Sequence, residues 1–225
     1  MGHPIQRIAR MEAELPGRAE DRARLLERIA VGLAHEGKNP LHNMVLHLQL
    51  LSEKIASPGR QGGSPIEKHL AAMRDGIGRV DDLLRAFGEF AVPAGLPPDL
   101  AAAVRRAGQL FAYDVRRATV KVSQHGPQAL EVESSALVLG DLVAHAFLAS
   151  VELARDGGAV DVQVEARGAS AVLELRAGGG LGNRAQAQPH LEAMRALAQQ
   201  ASCELSAETP AEGGAFLSLT FLHRR

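Results

Sequence analysis

Residues 31–44 read VGLAHEGKNPLHNM, and they set two glycines and a proline inside a run that otherwise follows the period of an amphipathic helix. With His35 at zero on a wheel of about 100° per residue, Leu26, Leu33, Met44, Leu48, Leu51 and Ile55 cluster within about 40° of the opposite side. Asn39 and His42 fall about 40° and 20° from His35, so the three make one polar strip on the exposed face. Gly37 falls on the buried side, where a missing side chain is expected to let a partner helix approach. Pro40 lacks an amide hydrogen and its ring presses on the Glu36 carbonyl, which predicts a bend beside the histidine. Solvent-exposed imidazoles are largely unprotonated at neutral pH and can accept a phosphoryl group on a ring nitrogen. The periodicity by itself does not separate such an acceptor from a solvated surface histidine.

Outward from this stretch, residues 20–56 and 64–90 form two helical patterns joined by SPGRQGGSP, a helical hairpin. In the second helix Ile66, Leu70, Met73, Ile77, Val80, Leu84 and Phe87 alternate steps of four and three, a seam that requires a neighbouring helix. Ser64 and Pro65 suit its cap and first turn. Leu25, Leu50, Leu83 and Phe90 flank the two stripes, and the surplus apolar surface predicts that two hairpins associate as a dimeric four-helix bundle. VPAGLPPD reads as a linker over 92–98. Beyond it, helices are expected near 99–113, 133–155 and 189–201, and strands at TVKVSQ, VDVQVEA, AVLELRA, CELSAE and AFLSLTF. The fold class is therefore α+β: a 20–91 hairpin, then an α/β sandwich over 99–225 with helices on one face of a mixed sheet, residues 1–19 standing apart as an N-terminal segment.

Composition narrows the function classes. Twenty-five Lys and Arg against 26 Asp and Glu leave no basic field for nucleic acid or an anionic membrane, and the absence of Trp leaves little for base stacking. A single cysteine, Cys203, excludes an internal disulfide and a cysteine zinc site. No span has about 20 consecutive apolar residues and no signal-peptide core opens the chain, so a soluble, cytoplasmic protein is expected. His35 and His42 are seven residues apart, without a carboxylate at ligand spacing, so no metal site is expected there.

HEGKNPL, His35 to Leu41, resembles the H-box of the two-component sensor histidine kinases, H-E-hydrophobic-K-N-P-L, with Gly37 in the hydrophobic position. The resemblance extends over most of the chain: a dimerisation and phosphotransfer hairpin, then a domain similar in layout to the kinase ATP-binding domain. It implies that His35 is the phosphoacceptor, that Glu36 assists proton transfer, and that Asn39 orients phosphoryl or water. The second half departs from the family pattern where ATP chemistry is done. DLVAHAFLASVELARDGG carries Asp141 and His145 where the family's N-box has magnesium- and phosphate-binding asparagines, and LELRAGGGLG offers Arg176 or Ala177 where an aspartate would grip adenine. Gly178 to Gly180 lack the flanking Asp, Lys or Ser/Thr of a phosphate cradle and read as a remnant loop.

The resemblance thus implies a dimeric histidine phosphotransferase, passing a phosphoryl group between response-regulator receiver domains through His35. No cofactor is expected on this chain: ATP is not expected to bind, and magnesium is expected on the partner receiver. The rival readings are an ATP-dependent kinase with a divergent nucleotide site, a pseudokinase scaffold that leaves His35 idle, and a phosphatase in which Asn39 positions water. Nucleic acid and membrane are not expected as partners.

Overall fold

The computed structural model describes residues 18–56, 63–93, 95, 97–210 and 214–224. The N-terminal segment up to residue 17, most of the SPGRQGGSP connection and the centre of the TPAEGG turn lie outside the described residues. Helices α1 (Arg18–Ala56) and α2 (Gly63–Ala91) form the hairpin. α1 is helical throughout, Gly37 and Pro40 included, so whatever bend Pro40 imposes does not end the helix. α2 begins at Gly63, which puts Ser64 in the first turn rather than at the cap.

The glycine that permits close approach is not Gly37, whose added Cβ would meet nothing within 4 Å. It is Gly76 of α2, where a Cβ would fall 2.7 Å from Met44 Cγ and 3.5 Å from the Pro40 carbonyl oxygen. Pro40 itself is buried at this crossing. Packing against α2, rather than local propensity, keeps the proline turn helical.

The second domain begins at Asp99, whose carboxylate accepts from the amides of Ala102 (3.1 Å) and Leu130 (3.0 Å), capping α3 (Leu100–Leu110) and pinning a distant loop. The expected helix over 99–113 divides at Phe111 into α3 and the short α4 (Ala112–Arg117). Thr119 has φ +55, a conformation no strand adopts, so β1 starts later than expected, at Lys121–His125. Then come α5 (Ala136–Leu153), β2 (Ala159–Arg167), β3 (Ser170–Gly178), α6 (Arg184–Gln200), β4 (Glu204–Glu208) and β5 (Ala215–Leu222). α6 starts five residues before the expected 189 because Asn183 accepts from the Gln186 amide, leaving Pro189 inside the helix.

The sheet runs β1-β2-β3-β5-β4, with β1 and β2 parallel and the other pairs antiparallel. Val160, Val162, Val164, Leu173, Leu175, Leu217, Leu219 and Phe221 are buried beneath α5, the period-two face the sequence prescribes. Ser135 caps α5 through the Val138 amide. Among the described residues α5 alone is long and apolar enough to cross a membrane, contrary to the expectation that no such span exists, and it lies inside the core.

The glycine loop after β3 belongs to this packing. A Cβ on Gly180 would lie 2.3 Å from the Ala154 carbonyl oxygen and one on Gly182 2.7 Å from that of Leu153. The amides of Gly182 and Asn183 donate to Arg155 (3.1 Å) and Glu152 (2.7 Å) carbonyls at the end of α5. The loop is thus bound to a helix C-terminus, whose carbonyl dipoles disfavour an anion.

Gly180→Ala is expected to lower stability by about 2 kcal/mol or more, since backbone blocks the new methyl. Gly37→Ala, with open space and a helical backbone, is expected to raise it by about 1 kcal/mol. Urea unfolding of both variants checks the contrast.

Candidate functional site

His35 is exposed, yet its ring stacks on that of Tyr113 in α4, with centroids 4.4 Å apart and planes 5° from parallel. Glu36, the next residue on α1, ion-pairs with Arg116, one helical turn beyond Tyr113. Asn39 and His42 are exposed on the same side of α1, as expected. The structure therefore gathers His35, Glu36, Tyr113 and Arg116, with Asn39 one turn away on α1.

α4 is held there by charge. Arg28 of α1 donates from Nε to Asp114 Oδ1 (2.8 Å) and from Nη2 to Glu152 Oε1 (3.1 Å), and its Nη1 lies 3.4 Å from His190 Nε2. Arg155 adds two further hydrogen bonds to Glu152, at 2.8 and 3.0 Å. Burial alone pushes the Glu152 carboxyl up, but the hydrogen bonds from Arg155 and Arg28 outweigh it and hold it below its ordinary pKa. Gly32 lies at the contact, where a Cβ would meet Leu110 O at 3.5 Å and Tyr113 Cβ at 3.6 Å, ordinary packing distances.

At the base of the hairpin, Arg22 pairs with Asp141 of α5 and donates to the carbonyls of Phe90 (2.9 Å) and Ala91 (3.1 Å). Leu25 and Phe90 are buried here, 3% and 5% exposed, so they pack within the chain and are not the dimer-flanking positions expected of them. Beside Asp141 and His145, Arg18, Arg22, Leu25 and Leu197 line a cavity of about 140 Å³. Arg176 lies over Phe216 and hydrogen-bonds Glu174 at 2.8 Å, while Ala177 is buried.

Burial and the neighbouring ions set the protonation states. Desolvation raises Asp141 to about 6, and the Arg22 and Arg18 guanidiniums only partly offset it. Desolvation lowers His145 and His190 to about 4, with the charge repulsion of the pair adding at His190. Their Nδ1 atoms are 3.0 Å apart, one donating and one accepting, which requires the accepting ring to be neutral.

Arg22, Arg28, Tyr113 and Arg116 escaped the sequence reading, since charged residues on a helical pattern read as a solvated face and a single tyrosine carries no motif. Only the buried acids that need them, Glu152 and Asp141 within the apolar run of α5, signal that basic partners come from elsewhere.

No protein-family model matches the chain and no curated protein matches it in sequence. Solved structures do resemble it. A bacterial phosphotransferase is 16% identical, with TM-score 0.47, over 92% of this chain and 98% of the other. Histidine kinase AdeS of Acinetobacter baumannii is 12% identical, with TM-score 0.46, over 85% and 98%. The catalytic domain of histidine kinase ThkA is 12% identical, with TM-score 0.47, over 55% and 93%. Identities and scores this low leave the functional reading to rest on the chain's own residues.

The neutral histidine pair stabilises the fold fully above pH 6.5 and loses that contribution as the pH falls through about 4. Asp141 runs the other way: its contribution is complete below 3.8 and lost as the pH rises through about 6. Two groups oppose one, so stability is expected to fall by a few kcal/mol between pH 7 and pH 4. His190→Gln is expected to flatten the profile, as read from denaturant midpoints across that range.

Proposed function

We propose that the chain is a histidine-kinase-like component of two-component signalling, acting as a dimeric histidine phosphotransferase through His35. The observation that carries this reading is the exposed His35 imidazole at the head of HEGKNPL on a continuous helix, with Glu36 and Asn39 at the spacing of the H-box it resembles. A phosphoryl group would pass from a receiver aspartate to His35 and on to a second receiver, which supplies the magnesium. Asn39, one turn from His35, would orient the phosphoryl group.

The transferase reading over the ATP-dependent kinase is supported at α5. Where the resembled family places magnesium-binding asparagines, this chain has Asp141 ion-paired with Arg22 and His145 hydrogen-bonded to His190. The cavity beside them, about 140 Å³, is smaller than the ~300 Å³ at which small-molecule sites begin.

The dimer is supported by what the hairpin leaves uncovered. Ile66, Leu70, Ile77 and Leu84 form an exposed stripe on α2, the last three at seven-residue spacing, with Ile77 56% and Leu84 61% exposed. On α1 Val31, Leu41 and Val45 are exposed within a sector of about 80° between His35 and the opposite face, and Leu48, expected on the buried stripe, is exposed at its edge. One hairpin cannot cover both stripes, and a second copy can.

Incubation with radiolabelled Mg-ATP alone is expected to leave the chain unlabelled, whereas a phosphorylated receiver labels it. Label from ATP would favour the kinase. His35→Ala and His35→Gln are expected to abolish the label, while His42→Ala and His47→Ala retain it. Label on His35→Gln would overturn the site. Light scattering is expected to give about twice the 23.8 kDa chain mass, with Ile77→Glu/Leu84→Glu shifting it to the monomer.

A further inference from the structure

We propose that the second domain contributes a phosphoryl-binding residue to the acceptor site: Arg116, released from Glu36, pairs with the phosphoryl group carried by His35. The inference rests on His35 being the acceptor and assigns a role to α4, which the H-box does not contain. Tyr113 and Arg116 are three residues apart and share one face of α4. The first stacks on the His35 ring and the second ion-pairs with the adjacent Glu36. The guanidinium is thereby held beside the imidazole while its side chain stays 56% exposed, so it can change partners without unpacking the core. Asp114, between them, is fixed by Arg28 and keeps α4 against α1.

Phosphorylation changes the charge balance around this guanidinium. A phosphoryl group on a ring nitrogen sets a double negative charge next to the Glu36 carboxylate, and the two repel. Arg116 is the cation already in contact with that carboxylate. A bidentate guanidinium–phosphoryl pair is a strong charge-assisted interaction, and it offsets the repulsion only in the phosphorylated form. Loss of Arg116 therefore makes the phosphohistidine less stable toward hydrolysis.

Phosphoramidate tests this without a protein partner. The lone pair of a His35 ring nitrogen forms the new N–P bond, the P–N bond of phosphoramidate breaks with its electron pair leaving on ammonia, and the proton of the other ring nitrogen passes to solvent. The full chain is treated with phosphoramidate, the modified residue is mapped by peptide mass spectrometry, and decay of the phosphohistidine is followed by phosphorus NMR. Arg116→Gln is expected to shorten the lifetime at His35 at least about threefold, Arg116→Lys to restore part of it, and Arg116→Gln/Glu36→Gln to restore most of it, because the repelling carboxylate is gone. A merely structural role for Arg116 predicts no rescue by the double variant. An unchanged lifetime in Arg116→Gln, or a double variant as short-lived as the single, overturns the role of Arg116 and leaves the acceptor assignment standing. Modification that reaches other histidines of the wild-type chain but not His35 overturns both.

Discussion

Arg28 joins the two halves of this molecule. Its guanidinium reaches α4 through Asp114 and α5 through Glu152, and it lies against His190 of α6, so one side chain of the hairpin touches three helices of the second domain. Glu152 is 1% exposed and is shared by Arg28 and Arg155, so loss of Arg28 removes one of the two cations that hold this buried carboxylate. The hairpin is thereby obliged to sit where it does. The stack of Tyr113 on His35 and the pairing of Arg116 with Glu36 follow, because α4 carries both residues on either side of the anchored Asp114.

The polar groups of α5 are taken up by contacts between elements. Asp141 holds the base of α1 through Arg22, and His145 pairs with His190. The glycine run after β3, which on its own invites comparison with a phosphate loop, packs against the end of α5, where the amides of Gly182 and Asn183 that follow it donate to the carbonyls of Arg155 and Glu152. Groups that read as a damaged binding site are here a set of contacts between elements of the chain.

Much of the fold was legible because it rests on periodicity. The alternation in VDVQVEA and AFLSLTF gives β2 and β5 almost to the residue, and the hairpin follows from two amphipathic runs split by glycine and proline. What failed were local rules overruled by distant packing. Gly37 reads as the point of close helix approach, but that contact is made by Gly76 of α2 against Met44 and Pro40. Leu25 and Phe90 read as spare apolar surface because nothing in their neighbourhood tells that the second domain will bury them, Phe90 against Gly140 of α5. For the candidate site, His35, Glu36 and Asn39 were identifiable as a motif, whereas Tyr113 and Arg116 were not: their role depends on a contact between residues some 80 positions apart, which no period encodes.

The unbroken length of α1 has a mechanical consequence. It is clamped near its start by Arg22 and Arg28, and its far end, with the exposed Val45, Leu48 and Leu50, lies roughly 30 Å beyond the clamp at 1.5 Å per residue. Such a rod is a lever with its fulcrum at the domain junction. A tilt of about 10° at Arg28 carries the distal half through roughly 5 Å, while His35, close to the fulcrum, moves by only about 2 Å. Rearrangement at the free end of the hairpin therefore reaches the second domain as a change of angle, with the histidine kept near the pivot.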